Sequence, residues 1–240
     1  KAMAVLSFFA NPHRFMAASK WFAWGFTVLG SVVIAIGVYL GLFVVPPDAV
    51  QGDSARIMFV HVPAMWLCLF AYAFMVGASL VSIIWRHSIA DVAAKSAAPI
   101  GAGVTALGLI TGSIWGYPTW GTWWEWGDAR LVSVLVLFFI YLGYMAIWQA
   151  METPQKAARA AAILCLAGAV NVPIIHYSVE WFATLHQTAM NATAEFKYPM
   201  YVVALGYLSL FGGLTLINMR AEIMNTRADM LAQRKQAAAG

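Results

Sequence analysis

Six long apolar stretches without a charged side chain constrain this chain more than any other feature. They cover residues 21–45, 57–85, 97–115, 131–149, 160–179 and 198–219. A helix that crosses a bilayer needs about 20 predominantly apolar residues, and each stretch has that length or nearly so. Lipid offers no hydrogen bonds to the backbone, so each stretch must satisfy its own as a helix. The sequence therefore predicts an all-α polytopic membrane bundle of six transmembrane helices, with residues 1–240 in a single membrane domain.

The composition excludes the main alternatives to a membrane protein. Charged residues make up 10% of the chain and hydrophobic residues 62%, whereas a soluble domain carries about 25% charged residues. The net charge of +4 is modest, and the basic residues lie in short segments between apolar runs, which gives no surface for nucleic acid. No Gly-Lys pair occurs, so the chain lacks a P-loop lysine for ATP.

The distribution of basic residues predicts the orientation of the bundle. Of the 14 lysines and arginines, only Arg56, Arg130 and Lys197 fall on one side, and the other 11 fall on the opposite side. Lysine and arginine are enriched in cytoplasmic loops. We therefore predict that both termini are cytoplasmic and that the loops at 46–56, 116–130 and 180–197 face outward.

A cluster of tryptophans marks the second outward loop. Five of the 11 tryptophans of the chain lie between residues 115 and 126. One interpretation is an aromatic belt at the membrane interface, where tryptophan is enriched. The other is a broad apolar surface with a few indole N–H donors, which suits a large planar aromatic ligand.

Two of the five histidines fall on the same predicted face as the tryptophans. His61 lies near the start of the second stretch, and His186 lies in the last outward loop. Neutral imidazole is a good iron ligand, and two histidines can complete the axial coordination of a haem; hydrogen-bonded interfacial residues are the alternative. His13 and His87 lie on the cytoplasmic side, where we expect surface residues. His176 follows Pro173 in the fifth stretch, and we favour a structural hydrogen bond there over a functional role.

Charged side chains accompany this face. Arg56 and Arg130 are two of its three basic residues, and Asp128 lies two positions before Arg130. A guanidinium group binds a carboxylate through two parallel hydrogen bonds, and haem carries two propionates. Both arginines are therefore candidate propionate ligands, and Asp128 is a candidate partner for Arg130 or for an indole N–H; ordinary pairing at a helix end is the alternative.

The tryptophan-rich segment WGTWWEWGDARL (residues 120–131) resembles the WWD signature of haem-handling membrane proteins. Four further segments resemble the cytochrome c maturation protein C (CcmC) family: RIMFVHVP (56–63), APIG (98–101), NVPIIHYSVEW (171–181) and TLHQ (184–187). The likeness extends from about residue 20 to residue 220. The family motif is expected to place aspartate directly after the last tryptophan, whereas Gly127 intervenes here.

The resemblance implies a set of haem-binding residues. They are His61 and His186 as axial ligands of the haem iron, Trp120, Trp123, Trp124 and Trp126 as the platform, and Asp128 and Arg130 at the end of the motif. An inserted residue would turn a helical aspartate by about 100°, unless the loop at Gly127 absorbs it.

The resemblance also implies a function. It is that of a haem-binding component of cytochrome c biogenesis in the bacterial inner membrane, not an enzyme, which binds haem b non-covalently and transiently. The implied partners are the haem chaperone CcmE, the ABC transporter subunits CcmA and CcmB and the single-span helper CcmD, besides membrane lipid. The absence of CxxCH agrees with non-covalent binding.

Other functional classes fit the sequence less well. A quinone-linked redox subunit holds b-type haem with histidines deep between helices, whereas His61 and His186 are predicted near the surface. A channel or secondary transporter favours charged residues within the spans, and the six stretches have none. A non-haem assembly scaffold fits the composition but leaves the tryptophan cluster unexplained.

Overall fold

The computed structural model describes residues 12–182, 184–186 and 192–239. Lys1, which contributes to the predicted charge asymmetry, and Gln187, at the end of the TLHQ segment, lie outside the described residues. The described chain is helical and contains no β-strand.

The described residues form seven α-helices, and two of these share one span. They are α1 (Pro12–Tyr39), α2 (Met58–Trp85), α3 (Ser88–Trp120), α4 (Ala129–Ala150), α5 (Pro154–Gly168), α6 (Asn171–Trp181) and α7 (Ala194–Ala239). A π-helical turn at Leu40–Val44 extends α1, and a 3₁₀ turn at Asp53–Ile57 precedes α2. Within the described residues, six segments are long and apolar enough to cross a membrane, with α5 and α6 together forming the fifth. The prediction of an all-α bundle with six membrane-spanning helices is confirmed.

The centre of the bundle is built from α2, α3, α4, α5 and α7. The helices α2 and α3 pair along their length, α7 packs against both, and α4 packs between α3 and the broken fifth span. Tyr72 and Tyr141 are fully buried in this core. Their hydroxyl groups donate to the carbonyl oxygens of Cys165 at 2.8 Å and Cys68 at 2.9 Å. These bonds satisfy polar groups that water does not reach.

Helix α1 lies at the edge of the bundle and packs mainly against α7. Gly30 and Gly37 on α1, with Gly206 and Gly213 on α7, line this contact. A methyl group at Gly206 would lie 2.7 Å from the backbone nitrogen of Ile34. Glycine at these positions therefore allows the two backbones to approach closely, as small residues do in membrane helix pairs.

The fifth span is interrupted, which the predicted stretch 160–179 did not show. Helix α5 ends at Gly168, and α6 begins at Asn171. Pro173 has no N–H to donate to the carbonyl four residues earlier and its ring crowds that turn. The side chain of Asn171 donates to the carbonyl of Ser133 at 2.8 Å, so α6 is anchored to α4.

The third helix is longer than the apolar run 97–115 from which it was predicted. It continues to Trp120 and ends where Gly121 adopts a left-handed conformation with φ of 77°, a common helix termination. The connection to α4 is therefore shorter than the predicted loop 116–130, and Trp115 and Trp120 lie on a helix. Helix α7 likewise extends through the polar residues after 219 to Ala239.

Three connections meet at one end of the bundle. They follow α1, α3 and α6, and side chains join them. The indole Nε1 of Trp115 donates to Oε1 of Gln51 at 2.9 Å, and the backbone N–H of Leu185 donates to Oδ2 of Asp128 at 2.7 Å. We call this end, formed by residues 45–61, 111–131, 176–182, 184–186 and 192–196, the tryptophan end.

Candidate functional site

The tryptophan end contains every residue that the sequence singled out for haem. His61 lies in the first turn of α2, Trp120 ends α3, and Asp128 precedes α4. His186 lies in the connection between α6 and α7. The fold thus brings together residues that are up to 125 positions apart in the sequence.

His61 is held by backbone and side-chain oxygens of α3. Its Nδ1 lies 3.0 Å from the carbonyl oxygen of Gly108 and 3.2 Å from Oγ1 of Thr111. A carbonyl only accepts hydrogen bonds, so Nδ1 carries the hydrogen and Nε2 keeps its lone pair. The ring lies against Gly112, where a methyl group would come within 2.8 Å of Cε1. These contacts engage Nδ1 and leave the lone pair of His61 on Nε2.

His186 is held between a carboxylate and an indole ring. Its Nδ1 lies 3.6 Å from Oδ2 of Asp128, and its ring makes an edge contact with Trp120 at a centroid distance of 5.0 Å. Burial lowers the pKa of His186 below its usual value; Asp128 opposes this effect and Arg130 adds to it. The ring is therefore neutral at pH 7, as metal binding requires.

Asp128 organises the site rather than extending the tryptophan platform. Its side chain is 1% exposed, and Oδ1 accepts the backbone N–H groups of Arg130 at 2.9 Å and Leu131 at 3.0 Å. This is an N-cap of α4. Because Asp128 has an extended conformation ahead of the helix, the loop absorbs the inserted Gly127, and the helical rotation expected from one extra residue does not arise.

The two arginines make different contacts. Arg130 donates from Nε to Oγ of Ser178 at 3.4 Å and from Nη2 to the carbonyl of His176 at 3.3 Å, which ties α4 to α6. Arg56 pairs with Asp53 at 2.8 Å. Its Nη1 donates to the carbonyl oxygens of Gly41 at 2.9 Å and Val45 at 2.8 Å, at the end of the first span. Arg56 thus holds the first connection, and its Nη2 makes no hydrogen bond to the described residues.

The four motif tryptophans differ in their surroundings. Trp120 contacts His186, whereas Trp123 stacks on Tyr117 with a centroid distance of 4.7 Å. Trp124 and Trp126 meet edge to face at 5.6 Å. Trp123 is 55% exposed and Trp126 is 73% exposed. Nε1 of Trp124 is buried and has no hydrogen-bond partner among the described residues. The loop therefore offers exposed aromatic surface and one unused indole donor.

The remaining histidines lie away from this arrangement. His13 is at the start of α1 and His87 immediately precedes α3, both at the opposite end of the bundle. His176 is exposed on α6 and makes an edge contact with Tyr177 at 4.7 Å. Its ring makes no hydrogen bond within the described part of the chain, so the structural hydrogen bond predicted for it is not present there.

Sequence reasoning missed the residues that support His61. Gly108, Thr111 and Gly112 lie within an apolar run, and no feature of that run indicates contact with a histidine on another helix. Two glycines four positions apart do indicate a close helix contact in a membrane. This spacing was the available signal, although it does not name the partner.

The residues present fit a haem better than a metal ion held by protein ligands alone. No group of three or more His, Cys, Asp and Glu side chains that could hold a metal ion occurs in the described ranges. Haem supplies four equatorial nitrogens itself and needs at most two axial ligands. Two histidines whose Nδ1 atoms face oxygen acceptors, together with an exposed aromatic surface, meet that requirement.

The family model described as heme exporter protein C matches residues 5–234. The chain belongs to the heme exporter protein C family. The family member from Bradyrhizobium diazoefficiens is 48% identical over 229 residues, which cover 92% of this chain and 86% of that protein. Those from Paracoccus denitrificans and Escherichia coli K12 are 41% and 43% identical, covering 96% and 90% of this chain and 98% and 89% of theirs. The resemblance to the CcmC family is confirmed.

Proposed function

We propose that this chain is a haem-handling membrane component of cytochrome c maturation that binds haem between His61 and His186. The arrangement of these two histidines is the main support. Both lie at the tryptophan end, and each directs Nδ1 toward an oxygen acceptor. A metal-binding histidine usually donates its other ring N–H to such an acceptor, which directs Nε2 to the metal. The name of the relatives, heme exporter protein C, indicates the same cargo.

The remaining residues of the proposed site would each contact a different part of haem b. Trp123 and Trp126 offer exposed rings to the porphyrin. The hydrogen bonds of Arg130 leave Nη1, and those of Arg56 leave Nη2, for a propionate. These contacts are non-covalent, and a carrier needs such contacts because it must release its cargo.

We further propose on which side of the membrane the tryptophan end lies and with which proteins the chain works. The lysine and arginine asymmetry favours cytoplasmic termini, so the tryptophan end would face the periplasm from a bacterial inner membrane. There the chain would deliver haem to the chaperone CcmE and work beside CcmA, CcmB and CcmD. Its own contribution is to position haem for transfer; ATP hydrolysis belongs to the transporter subunits.

The geometry favours this role over the two rivals. A b-type haem of a redox subunit would lie in the bilayer core, whereas His61 is in the first turn of α2 and His186 is between α6 and α7. A scaffold without haem gives no reason for two histidines whose Nδ1 atoms face oxygen acceptors beside one aromatic surface.

The test is the absorption spectrum and haem content of the detergent-purified protein, compared with His61→Ala and His186→Ala. We expect a low-spin spectrum in the unmodified protein and loss of haem or a shifted Soret band in each variant. Identical haem binding by all three proteins would refute the assigned ligands. No haem binding by any of them, even with the transporter subunits and the haem-free chaperone present, would refute the haem function.

A further inference from the structure

A buried carboxylate joins His186 to the start of α4. Oδ1 of Asp128 caps α4 through Arg130 and Leu131, while Oδ2 accepts the backbone N–H of Leu185 at 2.7 Å. Leu185 and His186 are neighbours in sequence. One oxygen therefore fixes the backbone directly before the imidazole ring.

The same oxygen faces the ring of His186. A carboxylate oxygen has two lone pairs, and Leu185 uses one of those on Oδ2. Nδ1 of His186 lies 3.6 Å away and is buried without a hydrogen bond among the described residues. A shift of about 0.7 Å would bring this pair to ordinary hydrogen-bond distance. Buried polar atoms are almost always hydrogen-bonded, so the geometry gives Nδ1 one acceptor.

We propose that Asp128 is a positioning residue for His186, whose Nδ1–H donates to Oδ2 of Asp128 when Nε2 binds the haem iron. This inference rests on the proposed function, because it requires His186 to be an axial ligand. It assigns Asp128 a role apart from the haem surface: the carboxylate sets which ring nitrogen carries the hydrogen and where the ring points.

The two axial ligands then differ in a way that can be measured. His61 donates to a neutral carbonyl on a transmembrane helix, whereas His186 donates to a carboxylate. A carboxylate partner raises the basicity of a metal-binding imidazole, which stabilises ferric iron. Removing the charge of Asp128 should therefore raise the reduction potential of the bound haem as well as weaken its binding.

Asparagine at position 128 provides a specific test. Its single side-chain oxygen can cap α4 or accept from Leu185, but not both. If the oxygen caps α4, the amide NH₂ faces Nδ1 of His186 and donates to it. The hydrogen of the ring then moves to Nε2, which blocks the iron-binding position.

A second variant and a control separate this effect from misfolding. Asp128→Ser keeps an N-cap for α4 but is too short to bond Leu185 and His186. Glu125→Gln makes the same change of carboxylate to amide three residues away. Glu125 is exposed, and its Oε1 accepts the N–H of Gly127 at 3.0 Å, which an amide oxygen can also do. It is therefore a matched control.

The experiment uses the full chain loaded with haem in detergent. The electron paramagnetic resonance and resonance Raman spectra report the number of axial histidines, and transfer to excess apomyoglobin reports the rate of haem loss. For Asp128→Asn and Asp128→Ser we expect the high-spin spectrum of His186→Ala, haem loss about 10- to 100-fold faster, and a low-spin spectrum again after addition of imidazole. Glu125→Gln should behave as the unmodified protein.

Three results would overturn the proposal, and they are distinguishable. If both Asp128 variants keep the low-spin spectrum and the original rate of haem loss, Asp128 does not position His186. If Glu125→Gln loses haem as fast as Asp128→Asn does, the effect comes from the net charge of the loop and not from a contact between Asp128 and His186. If His186→Ala itself keeps the unmodified spectrum, the assignment of His186 as a ligand fails, and the proposed function must be revised together with this inference.

Discussion

The contact between His61 and Gly112 makes the haem site sensitive to a single methyl group. A methyl group at Gly112 would lie 2.8 Å from Cε1 of His61, whereas ordinary van der Waals contact begins at 3.4 Å. The ring must therefore move by at least the difference, about 0.6 Å. The side chains of a binding site must stay within about 0.5 Å of their productive positions. Gly112→Ala should therefore move Nε2 of His61 out of the position in which it would bind the iron.

The expected loss in haem affinity for Gly112→Ala is about 10- to 100-fold, which is the range found when the support of a metal ligand is disturbed. The assay is a haem titration of the purified protein in detergent, with the spin state read by electron paramagnetic resonance. Thermal unfolding of the haem-free protein is measured alongside. Alanine favours a helix over glycine by about 1 kcal/mol, so a loss of haem cannot come from helix propensity.

Gly103→Ala is the matched control for this prediction. Gly103 lies on the same helix, α3, and a methyl group there meets nothing within 4 Å. This variant should bind haem as the unmodified protein does. A Gly112→Ala protein with unchanged affinity and a low-spin spectrum would refute the reasoning, because it would show that His61 does not need its present position.

Three further predictions concern packing and pH. Gly206→Ala places a methyl group 2.7 Å from a backbone nitrogen of α1 and should lower the free energy of unfolding by about 1–3 kcal/mol. Gly212→Ala is the control, because a methyl group there meets nothing within 4 Å, and it should leave the free energy of unfolding unchanged. Equal unfolding temperatures for the two variants would contradict the prediction. Tyr72→Phe leaves the buried carbonyl of Cys165 without its donor and should cost roughly 1 kcal/mol in thermal unfolding, whereas an unchanged midpoint would mean that another donor replaces it. Burial lowers the pKa of His186, so its ring stays neutral at pH values below the usual histidine pKa of about 6.5. When the Soret band is followed during a pH titration, haem should be retained at pH 6.5 and lost only as the pH falls further. A midpoint of haem loss at or above pH 6.5 would oppose the assignment of His186 as a ligand.

The interrupted fifth span connects the core to the site. Tyr72 bonds the carbonyl of Cys165 in the last turn of α5, and Arg130 bonds the carbonyl of His176 on α6. The first contact lies in the core and the second at the tryptophan end. The fifth span is therefore held on both sides of its break, which positions the connection that carries His186.

The sequence alone determined that the protein is a helical membrane bundle, and it indicated which end of the bundle carries the candidate site. An apolar run of about 20 residues is driven into lipid by its own composition and must be helical there, so the six spans could be predicted without knowing their neighbours. The tryptophan motif and the contexts of His61 and His186 placed these residues on one predicted face.

Only the tertiary structure decided how the site residues are held. Asp128 meets Leu185 across 57 positions, and His61 meets Gly108 across 47. Arg56, which the sequence suggested as a propionate ligand, caps the end of the first span. Composition and periodicity fix which face of a helix is apolar, but not which helix packs against it or at what height. Such contacts depend on the packing of side chains between helices, so the hydrogen-bond partners of both histidines could be known only once the helices were placed.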